Sequence, residues 1–160
     1  MSVVWEQGRE TITKMLANTR LEQVPASREH ADLLIAQARQ HLLSASVIAE
    51  TDPEGAYAMV YDAARKSLGA VLENQGLRTT SLPGHHQAIY EAVYAQLEPP
   101  MGRQLLPFNR MRRTRSSAEY PRPDDPALTT LDVLEDCARS QEIVDICAQV
   151  LDHMPVFALS

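Results

Sequence analysis

From Ala31 to Ala49 apolar and small residues recur every three or four positions, at Ala31, Leu34, Ile35, Ala38, Leu42, Ala45, Ile48 and Ala49. That is the stripe of a long amphipathic helix, and it predicts a helix from Ser27 to about Glu50. Asp52-Pro53 then reads as an N-cap followed by proline in a first turn. A second stripe follows at Ala56, Met59, Val60, Ala63, Ala64, Leu68, Val71 and Leu72, and Gly76 is placed to stop it. Two long helices joined by so short a turn must lie antiparallel, which constrains everything packed on them.

Beyond the turn signal Leu82-Pro83-Gly84, Ala88, Ile89, Ala92, Val93 and Leu97 predict a shorter helix closed by Glu98-Pro99-Pro100. Another begins near Gly102, with Pro107 in its first turns, and carries Leu105, Leu106, Phe108 and Met111 into a run of arginines. Residues 120–127 form a proline-rich acidic loop. The last helix shows Leu134, Cys137, Val144, Ala148 and Leu151 as its inward stripe. No segment alternates with period two for long enough to suggest a strand. The expected fold is all-α, an antiparallel up-and-down bundle of about four main helices with extra short ones. Residues 1–26 read as an appended N-terminal helix and connector, 27–154 as the bundle and 155–160 as a tail.

A chain of 160 residues with 44% hydrophobic content can bury a core without disulfides. Cys137 and Cys147 lie in one apolar periodic segment and match neither a disulfide framework nor a zinc motif. The N-terminal residues lack the basic start and apolar run of a secretory leader, and no stretch approaches the roughly 18 apolar residues of a membrane span. The expected setting is cytoplasmic, away from membranes. The histidines show no metal-site spacing, so neither metal nor cofactor is expected.

Charge is distributed unevenly. The net charge is −6, which argues against a surface that binds polyanions everywhere, yet residues 103–123 hold six of the thirteen arginines and a single acid, Glu119. On a helix Arg112, Arg115 and Glu119 share a face. One reading makes Arg112 and Arg115 a phosphate clamp, helped by Arg110 and Arg113, with Glu119 or Tyr120 moving protons. A phenol, ordinarily titrating near pH 10, is a weak base for that work at neutral pH. The other reading pairs Arg115 with Glu119 as an i,i+4 salt bridge, packs Tyr120 under the bundle, and sets the arginines against Asp124, Asp125, Asp132, Glu135 and Asp136. Asp62 and Arg65 likewise either pair along their own helix or join the arginine cluster across the bundle.

The segments AYAMVYDAARKSLGAVLENQGLR, PGHH and RMRRTRSSAEYP, followed by the long last helix, come in the order seen in the HEPN (higher eukaryotes and prokaryotes nucleotide-binding) family, which the chain resembles over about residues 27–154. The resemblance implies a homodimer with an arginine-centred site in each copy. In active members it implies a metal-independent endoribonuclease of a prokaryotic toxin-antitoxin or defence system, with an antitoxin or nucleotidyltransferase as partner. The family hallmark is an arginine, four to six residues and a histidine. Here Arg115 is followed at that distance by Tyr120, so Arg115, Glu119 and Tyr120 are the catalytic candidates, and a non-catalytic nucleotide-binding or partner-binding module stands as the alternative. A second match to the spacing, Arg78 to His85, falls before the third helix instead of before the last. Arg110, Arg112, Arg113, Arg65, Asp62, Arg78, His85 and His86 are the candidates for holding RNA or nucleotide.

Overall fold

The computed structural model describes residues 4–159; residues 1–3, where the N-terminal segment read above for a leader begins, and Ser160 of the tail lie outside the described residues. The elements run α1 (Arg9–Ala17), β1 (Leu21–Gln23), α2 (Arg28–Ile48), α3 (Pro53–Gln75), β2 (Leu77–Thr79), α4 (His85–Leu97), a 3-10 turn (Gly102–Leu105), α5 (Pro107–Glu119) and α6 (Thr130–Val150). The described chain is mostly helical, as the periodicity requires. No helix in it is long and apolar enough to cross a membrane.

The α2–α3 hairpin forms as its capping residues dictate. Ser27 accepts a hydrogen bond from the His30 N–H at 3.0 Å, and Asp52 accepts one from the Gly55 N–H at 3.0 Å with Pro53 in the first turn. The buried residues of α2, Ala31, Ile35, Ala38, Leu42 and Ala45, alternate steps of four and three and lie along α3. The third helix is the axis of the molecule: thirteen of its 23 residues are buried, and α2, α4, α5 and α6 all pack on it. Alanines at 56, 63, 64 and 70 let neighbours approach closely on several sides, which is how a helix with an ordinary amphipathic stripe comes to be enclosed.

Two features depart from the expected bundle. A two-stranded antiparallel sheet pairs β1 with β2, Leu21 opposite Thr79 and Gln23 opposite Leu77. Each strand is three residues long, too short to show a period. The pairing, with α1 packed on α4 through buried Ile12 and Met15, ties residues 9–23 to the bundle. At the other end of the chain Phe157 is buried, and its N–H donates to the Gln75 carbonyl at 2.9 Å.

The second departure is the register of α6. Its inward residues are Val133, Asp136, Ser140, Ile143, Val144, Cys147 and Val150, while Leu134, expected inside, is 43% exposed. The helix is rotated because two of its inward positions are polar and satisfied: Ser140 donates to the Val60 carbonyl at 2.9 Å, and Asp136 receives three side chains, described below. A hydrophobic stripe cannot register such positions.

Gly76 ends α3 as expected. It lies at φ 76°, in the left-handed region, and a Cβ there would sit 2.8 Å from the Val24 carbonyl oxygen. Gly76→Ala should therefore lower the unfolding free energy by about 1–2 kcal/mol from backbone strain alone, read as a lower urea midpoint at unchanged slope.

Candidate functional site

Helix α5 is seated by its first two turns. Pro107 starts it, and Phe108 and Met111 are fully buried. The Phe108 ring stacks on Tyr61 of α3 at 5.3 Å and on Tyr90 of α4 at 5.9 Å, so one aromatic sandwich joins three helices. The arginines that follow are thereby divided among three surroundings, according to which side of α5 each leaves.

Towards α6, Arg110 reaches Asp136 with both terminal nitrogens, at 3.0 and 2.6 Å. Asp136 also accepts from Arg139 at 2.9 Å and from the Tyr57 hydroxyl at 2.6 Å, and is itself 3% exposed. Burial by itself would raise this carboxyl, but the hydrogen bonds from Arg110, Tyr57 and Arg139 outweigh it and hold Asp136 below the usual carboxylate range. Burial together with the hydrogen bond to Asp136 pushes the Tyr57 phenol well up. Arg110 is thus engaged as the structural reading of the arginines had it. Beside the node an open cleft of about 680 Å³ runs between α5 and α6, bordered by Glu54, Arg113, Ser117, Leu128 and Glu135.

Towards α3 and α4 lie Arg112 and Arg115. The Arg115 guanidinium stands 5.9 Å from the Tyr61 ring centroid and pairs with Glu119 one turn on. Tyr61 is 1% exposed, and its hydroxyl lies 2.9 Å from Nδ1 of His86, the second residue of α4. His86 meets His85 edge-on at 4.4 Å, and Arg65 pairs with Asp62 at 3.5 Å on the neighbouring turn of α3. Arg65 therefore pairs along its own helix, and its charge also reaches Tyr61 and His86. Burial pushes Tyr61 up to about 12 despite the positive charges of Arg65, Arg112 and Arg115. Burial, with His85, Arg65 and Arg115, lowers His86 to about 4. At neutral pH the pair is a phenol and a neutral imidazole. The Tyr61 hydroxyl and Nδ1 share one hydrogen bond whose donor follows the imidazole tautomer, and Nε2 is the ring nitrogen left to other partners.

Outwards, Arg112, Arg113, Ser116, Ser117, Tyr120, Arg122 and Asp125 line a recess of about 440 Å³. Among the described residues Arg112, Arg113 and Arg122 form no ion pair, and the one carboxylate there, Asp125, accepts the backbone N–H of Arg122 at 2.8 Å. Tyr120 is 73% exposed at the end of α5 and does not pack under the bundle. Arg78 lies on β2 and pairs with Glu73 at 3.2 Å, beside the small sheet. His85, the other end of the second arginine-to-histidine spacing, is exposed at the start of α4. No group of three or more His, Cys, Asp or Glu among the described residues is placed to hold a metal.

Sequence reasoning did not single out Tyr57 or Tyr61. Their i,i+4 spacing in α3, one residue before Asp62, was visible, but only the seating of α5 shows that both rings face its arginines. No protein-family model, curated protein or solved structure matches the chain.

Two outcomes test the geometry. Asp136→Asn should cost about 1–3 kcal/mol at neutral pH by leaving Arg110 and Arg139 without their anion. Because the folded carboxyl titrates below its unfolded value, its contribution is complete above about pH 4 and is lost as pH falls through the folded value, so acid unfolding curves of variant and wild type should converge. His86 behaves oppositely: unfolded histidine takes a proton near pH 6.5, whereas the folded ring resists it down to about 4. Wild type should therefore lose stability between those values, and His86→Gln should lose less, as followed by urea midpoints across that range.

Proposed function

We propose that this chain is an RNA-directed helical protein of the HEPN type, a homodimer of a prokaryotic toxin-antitoxin or defence system, in which α5 presents Arg112, Arg113 and Arg115 to the RNA backbone. The observation that carries the reading is the outer recess, where Arg112, Arg113 and Arg122 stand without an ion-pair partner among the described residues, beside two serine hydroxyls, in a chain of net charge −6. Guanidinium forks and hydroxyls are the donors that phosphate oxygens accept. The sequence resemblance over residues 27–154 supplies the class of polyanion.

In the metal-independent endoribonuclease form of this reading, Arg115 stabilises charge on the phosphorane and Glu119 or Tyr120 transfers protons. One observation favours the second reading, a non-catalytic nucleotide-binding or partner-binding module: the Glu119 carboxylate is paired with Arg115, and no side-chain hydrogen bond orients Tyr120 among the described residues. An antitoxin or nucleotidyltransferase would then be the partner masking or reading the arginines.

Incubating purified protein with total RNA in EDTA separates the two. Cleavage that Arg115→Ala abolishes establishes the ribonuclease. Intact RNA that is nevertheless retained on filters establishes the binding module. In either case Arg113→Gln should flatten the log-log salt dependence of binding by about 0.7 for each phosphate it no longer engages. Absence of RNA affinity at low salt overturns both RNA readings, and a monomer by sedimentation overturns the homodimer.

A further inference from the structure

The junction of α3, α4 and α5 has a surplus of donors, of which the RNA reading uses only Arg112 and Arg115. Nε of Arg65 and Nε of Arg112 are both out of contact with water and without an acceptor among the described residues. An unpaired buried donor is costly, and native structures rarely keep one unless a ligand, ion or water answers it. Nε2 of His86 has no hydrogen-bond partner among the described residues, while its Nδ1 is occupied by Tyr61. Arg115 lies over the Tyr61 ring. Among the described residues two carboxylates answer this set, Asp62 on Arg65 and Glu119 on Arg115, and Arg112 pairs with none.

The backbone adds to the same field. His85 and His86 open α4, a helix of thirteen residues whose N-cap is Gly84 with no side-chain cap, so its first N–H groups meet no capping oxygen. The positive end of α4 stands beside Tyr61, which the charges of Arg65, Arg112 and Arg115 all reach.

We infer that this junction binds a single phosphoryl group, presented as a dianion to Arg65, Arg112, Arg115 and Nε2 of His86, and that His86 takes up a proton as the anion enters. A tetrahedral dianion has enough acceptor oxygens for three guanidinium groups and an imidazole, and arginine forks match phosphate geometry. The groups that face His86 are Tyr61, Asp62 and Arg65 from α3, His85 from its own helix and Arg115 from α5. Arg65, Arg115 and His85 oppose its protonation, and an entering dianion offsets them. Anion binding and proton binding are therefore mutually favourable, and by linkage each strengthens the other. The inference deepens the RNA reading, since Arg112 and Arg115 serve both, but it requires only one phosphate and no cleavage.

Sulfate is the probe for the pH dependence, because it stays a dianion throughout the range in which phosphate itself titrates. Calorimetric titration of the full chain should give sulfate binding that tightens as pH falls from 7 to 5. Arg65→Gln and Arg112→Gln should each weaken it about tenfold or more, and His86→Gln should remove the pH dependence. Arg39→Gln, which removes the same charge from the α2–α6 side, should change affinity less than about twofold. Equal affinity in wild type and Arg65→Gln, an undiminished pH dependence in His86→Gln, or no binding of sulfate and inorganic phosphate overturns the inference.

Should a variant fail to fold, histidine NMR on wild type replaces it: the His86 resonance should titrate at higher pH with sulfate present, and an unmoved titration overturns the coupling. A 5′-phosphorylated dinucleotide that binds more tightly than inorganic phosphate assigns the site to a nucleic-acid end, and equal binding assigns it to the free anion; both uphold the site. Sulfate binding with no RNA affinity leaves this site standing and removes the RNA reading. RNA retention without sulfate binding does the reverse.

Discussion

A single buried carboxylate holds the arginine-bearing half of the molecule in place. Asp136 enters the protein from α6, where an apolar residue would be the ordinary choice, and is tolerated because Tyr57 of α3, Arg110 of α5 and Arg139 of its own helix all donate to it. Each donor belongs to a different requirement of the fold. Tyr57 fixes how α6 sits on the central helix, Arg110 fixes the rotation of α5, and Arg139 covers the node from outside. Once Arg110 is committed to Asp136, the helical repeat leaves no choice about the rest: Arg112 and Arg115 turn towards Tyr61, and Arg113 turns outwards.

One short helix therefore carries arginines with three distinct roles. Arg110 is neutralised by the buried Asp136 while its own side chain stays about half exposed. Arg115 is half engaged, with Glu119 beside it and an aromatic ring beneath it. Among the described residues Arg112 and Arg113 pair with no carboxylate, and they give a net acidic protein a locally cationic face. Long-range field from a charge of −6 repels polyanions, so whatever binds at this face is recognised at close range, within about a Debye length of the guanidinium groups. The neutral His86 beneath it reports the same local excess of positive charge, since burial and its cationic neighbours together keep the proton off.

The long helices were legible because their signals are local. The period of α2, the Asp52-Pro53 cap and the Gly76 stop each act within a few residues, and each stands where the sequence puts it. The face of α6 was misread for a physical reason as well. Leu134 looks inward by hydropathy and Asp136 outward, but burial is decided by whether polar groups find partners, and the partners of Asp136 lie 79 and 26 residues away in the chain. The β1–β2 pair escaped notice because three-residue strands carry no period of their own; Leu21 and Leu77 are buried only once α1 and α4 have brought the two segments together.

The same division applies to the site. Sequence alone determined that the protein is mostly helical, that α2 and α3 form a hairpin, and that six arginines gather between residues 103 and 123, because periodicity, capping and composition are properties of neighbouring residues. Only the tertiary structure decided which arginine is neutralised, which is stacked and which is left open, and only it brought His86 to Tyr61 beside Arg65 and Arg115. The reason is that the state of a charge is set by the groups within a few ångströms of it, and in a bundle those groups come from other helices.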